Sequence, residues 1–567
     1  MVVGRKSIQH VQSKGRMSIM KIQNFTVQKR QSVIKVVYGG LLVIIAIIMV
    51  AIDPINIVTN WYMDMKEGSF LFKMYQKPSY QLFSEVWIYN YTNVPEYLAG
   101  TDSVMKLQEV GPFRFQETRT NEDMKINKEQ GILTIVPKIT LKFLPERSVA
   151  HYKDVSLYMP NIALIAISTL AADKLGYFAN AGAYYSISAL GSTLFRNLTA
   201  EELLWGYHDP VVTIANSLLP GWIDFGKIGI LDRFYAEKQE SAEIELANES
   251  TRYSIKSWNN STGLIEQGFT DWNTSIPCNR IKGSYEGMMV SPKVTKDRVI
   301  PIYRRQACRI YPFSFKEEVK GNYGFDYYRF ALERTSFNRT SEYACKCEEN
   351  CLPDGFVDVS KCYYGFPIAL SKPHFLDTDP EQMKHFEGMH PDPEKHGSVL
   401  DLEPTLGVPL ALSTKIQVNV AVRMNAGNPI TRPLKDKVIP IVWLSLYCEE
   451  PPPEIVSILR LRFVIAPPLL ITVEVLLLVI GMILGAQGFH RIWKPKYKLI
   501  QSNEEEMQPK RRKSLERRRN SVILNMSENM GFTKDDEELA KQAVSLLAIH
   551  EEDADIPDLL LTENQIY

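Results

Sequence analysis

The stretch Phe463–Ala486, FVIAPPLLITVEVLLLVIGMILGA, runs for 24 residues with one charged side chain, Glu474, and its reading decides how the rest of the chain is laid out. A helix rises about 1.5 Å per residue and the hydrocarbon core of a bilayer is about 30 Å thick, so this segment is long enough to cross as a helix. A second apolar stretch, Val36–Ile52 (VVYGGLLVIIAIIMVAI), has 17 uncharged residues, near the lower limit for a span. Basic residues flank the outer end of each. Arg5, Lys6, Lys14, Arg16, Lys21, Lys29, Arg30 and Lys35 precede the first without one Asp or Glu, and Arg491, Lys494, Lys496 and Lys498 follow the second. Basic flanks stay cytoplasmic, which places both ends inside and the long middle outside. The expected layout is a basic N-tail (1–35), a first span (36–52), an outer domain (53–462), a second span (463–489) and a cytoplasmic C-tail (490–567). The first span reads as an anchor rather than a cleaved signal, because its basic lead-in is long and no small-x-small site closes it.

An ionised Glu474 in the span would cost a few kcal/mol, so it is expected to be protonated or to face the partner helix. Gly481 and Gly485 form a small-xxx-small pair that lets a second helix approach, either the chain's own first span or another copy. A third apolar run, Asn161–Leu175, is interrupted by Asp173 and Lys174 and reads as a buried helix of the outer domain.

The chain is 567 residues long, with Lys+Arg and Asp+Glu balanced at 65 each, so no bulk charge points to nucleic acid. Glycosylation sequons agree with the topology: Asn90, Asn197, Asn248, Asn259, Asn260, Asn273 and Asn338 all fall in the outer segment, and only Asn24 and Asn525 in the tails. Six cysteines are on the outer side as well: Cys278, Cys308, Cys345, Cys347, Cys351 and Cys362. In an oxidising compartment such clustering reads as disulfides rather than zinc, and no paired C-x-x-C knuckle is present. Six cysteines allow 15 pairings, of which Cys345–Cys347 is disfavoured by the geometry a disulfide needs. Cys448 is the odd one out.

Within the outer domain, Thr414–Met424 alternates Ile416, Val418, Val420, Val422 and Met424 with mostly polar neighbours, the pattern of a half-buried strand. EVWIYNYT and LTIVPKITLKF read as further strands. Gly/Pro punctuation, including EVGPF and PDPEKHG, spaces these runs like an antiparallel sheet or barrel. Residues 154–207 have helical composition instead, and Thr199 with Glu202 forms a capping-box pattern. The fold class is α+β.

Searches for chemistry return little. Gly221–Ile228 (GWIDFGKI) fits a phosphate-loop spacing but has Ile228 where a magnesium-binding hydroxyl belongs, so a turn is the better reading. His374, His385, His390 and His396 crowd one loop with spacings that fit no helical face, which favours structural or solvated histidines over a metal site. No G-x-S-x-G elbow or H-E-x-x-H helix occurs, so the sequence argues for neither an enzyme nor a cofactor.

Six blocks in order carry a resemblance: EVWIYNYTN…LQEVGPFRF, EELLWGYHDP, YYRFAL, CEENCLPDGFVDVSKC…PHFL, HPDPEKHGSVLDLEP and VIPIVWL. The chain resembles the class B scavenger receptor family, which includes fatty-acid translocase, lysosomal integral membrane protein and sensory neuron membrane protein types. The resemblance runs from the first span through the second. It implies an antiparallel β-barrel-like core with a helical apex and an internal hydrophobic tunnel, anchored by two transmembrane helices. It also implies the bridges Cys278–Cys345, Cys308–Cys362 and Cys347–Cys351, the last across a shorter gap than the family pattern has. Physically, a dry conduit suits acyl-chain transfer, since each methylene exposed to water costs roughly 0.8 kcal/mol. Lys174 and Arg196 are candidate apex contacts for anionic lipids or lipoprotein-like particles.

In the C-tail, YKLI (Tyr497–Ile500) has the Tyr-x-x-apolar form and DIPDLL (Asp555–Leu560, with Leu559 and Leu560) the acidic dileucine form that clathrin adaptors bind. The basic run between them holds Ser514 and Ser521, whose phosphorylation is expected to release it from an anionic leaflet. The functional expectation is a lipid-binding scavenger receptor of the plasma membrane or the endosome–lysosome system, with homo-oligomerisation open. The alternatives are a lysosomal sorting receptor for a soluble protein and a sensory accessory protein for hydrophobic odorants.

Overall fold

The computed structural model describes residues 3–213, 226–235, 240–270, 276–345, 347 and 351–493, with side chains from Val27 onward. The chain forms two compact units: Asp53–Leu469, and a second made of the residues up to Ile52 with those from Leu470.

Two helical segments are long and apolar enough to cross a membrane, Val27–Ile52 and Pro453–Trp493. The first of these helices continues beyond its apolar stretch, through Val27–Lys35. Glycines bring the two helices together. A Cβ on Gly39 would lie 2.6 Å from the Gly481 carbonyl oxygen and 2.7 Å from the Gly485 nitrogen, and one on Gly488 would lie 2.7 Å from the Ser32 carbonyl oxygen. The small-xxx-small pair therefore serves the chain's own first helix, where only glycine permits backbones so close.

The larger unit is built on a 14-stranded sheet. In chain order the strands are β1 (Leu82–Tyr91), β2 (Met105–Asn127), β3 (Ile132–Phe143), β4 (Ser156–Pro160), β5 (Phe195–Thr199), β6 (Ala242–Glu245), β7 (Ile255–Trp258), β8 (Ile300–Arg304), β9 (Arg309–Val319), β10 (Tyr327–Leu332), β11 (Val357–Asp358), β12 (Ile368–Ser371), β13 (Phe386–Glu387), β14 (Val399–Glu403), β15 (Val408–Ala421) and β16 (Val438–Cys448). The path β7-β6-β3-β2-β1-β16-β15-β14-β10-β9-β8 is antiparallel throughout; β11, β12 and β13 pair off it, and β4 and β5 form a ribbon of their own. Among the described residues the ladder is open, with β7 and β8 at its ends, rather than a closed ring of paired strands. The segment Gly283–Tyr285 hydrogen-bonds to both ends: Ile255 N donates to Ser284 O (2.7 Å) and Tyr285 N to Pro301 O (2.8 Å).

Three sequence expectations change on folding. EVGPF is not a turn but lies inside β2, opposite a register shift at Val86/Ile88, where a Cβ on Gly111 would meet the Val86 carbonyl oxygen at 2.8 Å. Thr414–Met424 is not half-buried with a wet face. β15 ends at Ala421, and its polar residues Gln417 and Asn419 are wholly buried, with β12 paired along that stretch and His374 N donating to Gln417 Oε1. Residues 154–207 are not all helix either, since β4 and β5 bracket the helices Ile162–Lys174 and Tyr177–Ala189. Asn161 caps the first of these, and buried Asn180 ties the pair by donating to Ala171 O and Leu175 O. The Thr199/Glu202 capping box starts the helix Ala200–Trp205.

Candidate functional site

Three pockets of the larger unit share lining residues. The first is walled by apolar side chains, among them Phe70, Leu71, Met74, Met289, Ile455 and Leu459. Met288 lines both it and the second, where Arg119, Asn121, Lys138, Glu286 and Arg304 stand among apolar residues. Arg304 and Gln306 in turn line the third, with Phe234, Leu370, Ile416, Leu444 and Leu446 beside Ser84, Tyr235 and Thr414. The second is the most polar of the three, and Arg304 lines both it and the third.

The polar waist follows from strand periodicity. Alternate residues of β2 present Phe113, Phe115, Glu117, Arg119 and Asn121 to one face, so that face passes from aromatic to charged along the strand. On β8, Ile300 and Ile302 are followed two residues on by Arg304. Glu117 accepts from Arg119 Nε (2.5 Å) and from Tyr235 Oη (2.9 Å), while Asn121 Nδ2 donates to Tyr75 O (2.7 Å). Burial pushes the Glu286 carboxyl up to about 7, with Arg119 opposing, and lowers the Arg304 guanidinium to about 10, with the Arg119 cation adding to the effect. Arg304 Nε and Nη2 and Glu286 Oε1 are buried without hydrogen-bond partners. Nothing in the sequence singles these residues out; only the strand register brings Glu117, Arg119, Glu286 and Arg304 together.

A second buried polar network surrounds β15. Gln417 Oε1 accepts from Tyr89 Oη and His374 N (both 2.8 Å), and its Nε2 donates to Asn419 Oδ1 (2.8 Å). Asn419 Nδ2 donates to Ser371 Oγ (3.0 Å) and Ala369 O (3.1 Å). Glu109 receives His374 Nε2 (2.5 Å) and Trp443 Nε1 (2.9 Å), and His396 stacks on His374 with ring centroids 4.3 Å apart. Two of the four clustered histidines are therefore interior and structural. Among the described residues no group of His, Cys, Asp and Glu has the geometry to hold a metal.

The disulfides are Cys278–Cys345, Cys308–Cys362 and Cys347–Cys351, with Cα separations of 5.3, 6.5 and 5.6 Å. The first two close loops of 67 and 54 residues and so restrict the unfolded chain by roughly 4 kcal/mol each. Cys448 is free and buried, and its thiol donates to Glu450 O.

Of the apex cations, Lys174 is exposed at the end of its helix, whereas Arg196 is ion-paired with buried Asp209 at 2.8 Å and lies over the Tyr207 ring. The apolar run Asn161–Leu175 is turned inward, with Ile162 to Ala166 all buried. The exposed apolar side chains there include Leu175 at the end of the run and Tyr177, Phe178 and Tyr185 of the next helix. Asn197, Asn248, Asn259 and Asn260 are exposed, while Asn90 and Asn338 are partly covered. Asn273, Tyr497, Ile500, Ser514, Ser521, Asp555, Leu559, Leu560 and most of Gly221–Ile228 lie outside the described residues.

The chain matches the model of the CD36 family over residues 37–492. It is 27% identical to bovine scavenger receptor class B member 1 over 461 residues, covering 79% of this chain and 86% of the relative. It is likewise 27% identical to human lysosome membrane protein 2 over 433 residues, 74% of this chain and 85% of that protein.

Proposed function

The chain belongs to the CD36 family, and from that premise we propose that it is a lipid-binding scavenger receptor rather than an enzyme. In this reading residues 53–462 lie outside the cell or in the endosomal lumen, and both tails are cytoplasmic. The sheet acts as a barrel-like wall around a conduit that passes lipid between an outer opening and the bilayer. The observation that supports the reading is the set of three pockets that share lining residues, Met288 between the first and second and Arg304 between the second and third. An acyl chain moving along it stays out of water, which removes a cost of roughly 0.8 kcal/mol per methylene. The tail motifs at Tyr497 and at Leu559 and Leu560 would supply endocytic or lysosomal sorting through clathrin adaptors.

Met288→Trp fills the first junction and tests the conduit. Uptake of a fluorescent lipid by cells displaying the variant at wild-type surface level is expected to fall at least about tenfold, the effect of about 1.4 kcal/mol. Unchanged uptake would remove the conduit from the mechanism.

A second reading, a sorting receptor for a soluble protein, is favoured by one observation: the exposed aromatic face of Tyr177, Phe178 and Tyr185 beside Lys174. Phe178→Ser with Tyr185→Ser should abolish delivery of a protein cargo while leaving lipid uptake intact. Loss of lipid-particle binding instead would return the apex to the first reading.

A further inference from the structure

We propose that Arg304 is the specificity-determining residue of the conduit, an anion site that takes the carboxylate head of a single-tailed amphiphile whose tail lies along Phe234, Ile416, Leu444 and Leu446. The proposal rests on the conduit reading and adds to it a rule for which lipids are held.

Arg304 is 6% exposed, and two of its guanidinium nitrogens have no acceptor. Its neighbour in sequence shows what a structural arginine looks like in the same place: Arg305 is ion-paired with Glu240 at 2.9 Å. The carboxylates close to Arg304 are committed elsewhere. Glu117 holds Arg119 and Tyr235, and Glu286 faces Arg119. Two guanidiniums thus meet one engaged carboxylate and a second, Glu286, whose carboxyl burial pushes up to about 7, so below that pH a cation is left over. A buried guanidinium without a counter-ion is destabilising unless something supplies one. The planar fork matches a carboxylate through two parallel hydrogen bonds. On the side of the third pocket, aliphatic and aromatic side chains line it, with the Ser84, Thr414 and Tyr235 hydroxyls and the Gln306 amide as the other polar groups. Head and tail of an amphiphile are therefore accommodated on either side of one residue. Neutral lipids gain nothing at this point and pass.

The test measures binding of radiolabelled oleate, oleyl alcohol and lysophosphatidate to the purified full-length chain in detergent, for wild type, Arg304→Gln and Arg304→Lys. Wild type is expected to bind oleate at least about tenfold tighter than oleyl alcohol, as one charge-assisted pair allows. Arg304→Gln should erase that preference and leave oleyl alcohol affinity unchanged, and Arg304→Lys should keep part of it. Equal binding of oleate and oleyl alcohol by wild type, or a preference that survives Arg304→Gln, overturns the proposal. Loss of both ligands in the Gln variant overturns it too, by making Arg304 structural, and tighter lysophosphatidate binding overturns the carboxylate assignment. If wild type binds none of the three, the conduit reading itself has failed. One readout needs no variant: ¹³C-carboxyl oleate bound to wild type should stay ionised well below the pH at which it titrates in micelles, and titration as in micelles counts against the site.

Discussion

The two buried polar networks of the Asp53–Leu469 unit are built on opposite terms. Around β15, Gln417, Asn419, His374, Glu109 and Trp443 hand hydrogen bonds from one to the next, and His396 Nε2 is the exception left unpaired. At the waist, Arg304 and Glu286 keep buried polar atoms with nothing to bind. A satisfied network fixes strand and loop positions; an unsatisfied one spends stability and is a place where a ligand can return it. The two also answer acid differently. Burial, with His374 and Lys395 adding, lowers His396 to about 4, against the opposing carboxylates of Glu109 and Asp392. Burial raises Glu286 to about 7, with Arg119 opposing.

The comparison breaks most sharply at Asn419. Asn419→Leu leaves Gln417 Nε2 without its partner in a dry interior and takes one hydrogen bond each from Ser371 Oγ and the Ala369 carbonyl. It should cost roughly 2–4 kcal/mol in denaturant unfolding, at about 1–3 kcal/mol per orphaned group. A loss below about 0.5 kcal/mol would mean that the β15 network contributes nothing special.

Next comes pH. His396 is depressed in the folded state, so its contribution is fully present above its unfolded value, about 6.5, and is lost as pH falls toward 4. Glu286 is raised, so its contribution is present below its unfolded value and is lost as pH rises through 7. Between pH 7 and 5 each is worth roughly 1–2 kcal/mol, with opposite sign. Wild-type stability should therefore be nearly flat over that window. Glu286→Gln should make the protein weaken on acidification, and His396→Gln should make it strengthen. Parallel pH profiles for the two variants would show that the networks do not oppose one another.

The smallest effect is expected at the waist itself. Arg304→Met replaces an uncompensated cation by an apolar chain of similar length, so thermal stability should stay level or rise by up to about 1 kcal/mol. A marked loss would place Arg304 among the structural arginines.

Much of this protein was legible before folding, and the residues show why. The runs at Val36–Ile52 and Phe463–Ala486 are contiguous, so their apolar character needs no partner to be recognised. The Thr199/Glu202 box and the cap at Asn161 act within one turn of helix. Strand character likewise showed in local composition, although EVGPF misled, because a Gly-Pro pair marks a turn in most chains and a bulge inside a strand here.

What the linear order determined, then, is everything decided by neighbours: the apolar spans, the caps, the strand-rich character of the outer domain and the crowding of cysteines. Only the tertiary structure chose one disulfide pairing among 15, turned Gln417 and Asn419 inward, and gathered Glu117, Arg119, Glu286 and Arg304 from distant segments around one interior space. The physical reason is that a charge's meaning depends on its surroundings. Arg304 and Arg305 are adjacent and alike as letters, yet one finds Glu240 and the other finds none, and nothing short of the packed sheet distinguishes them.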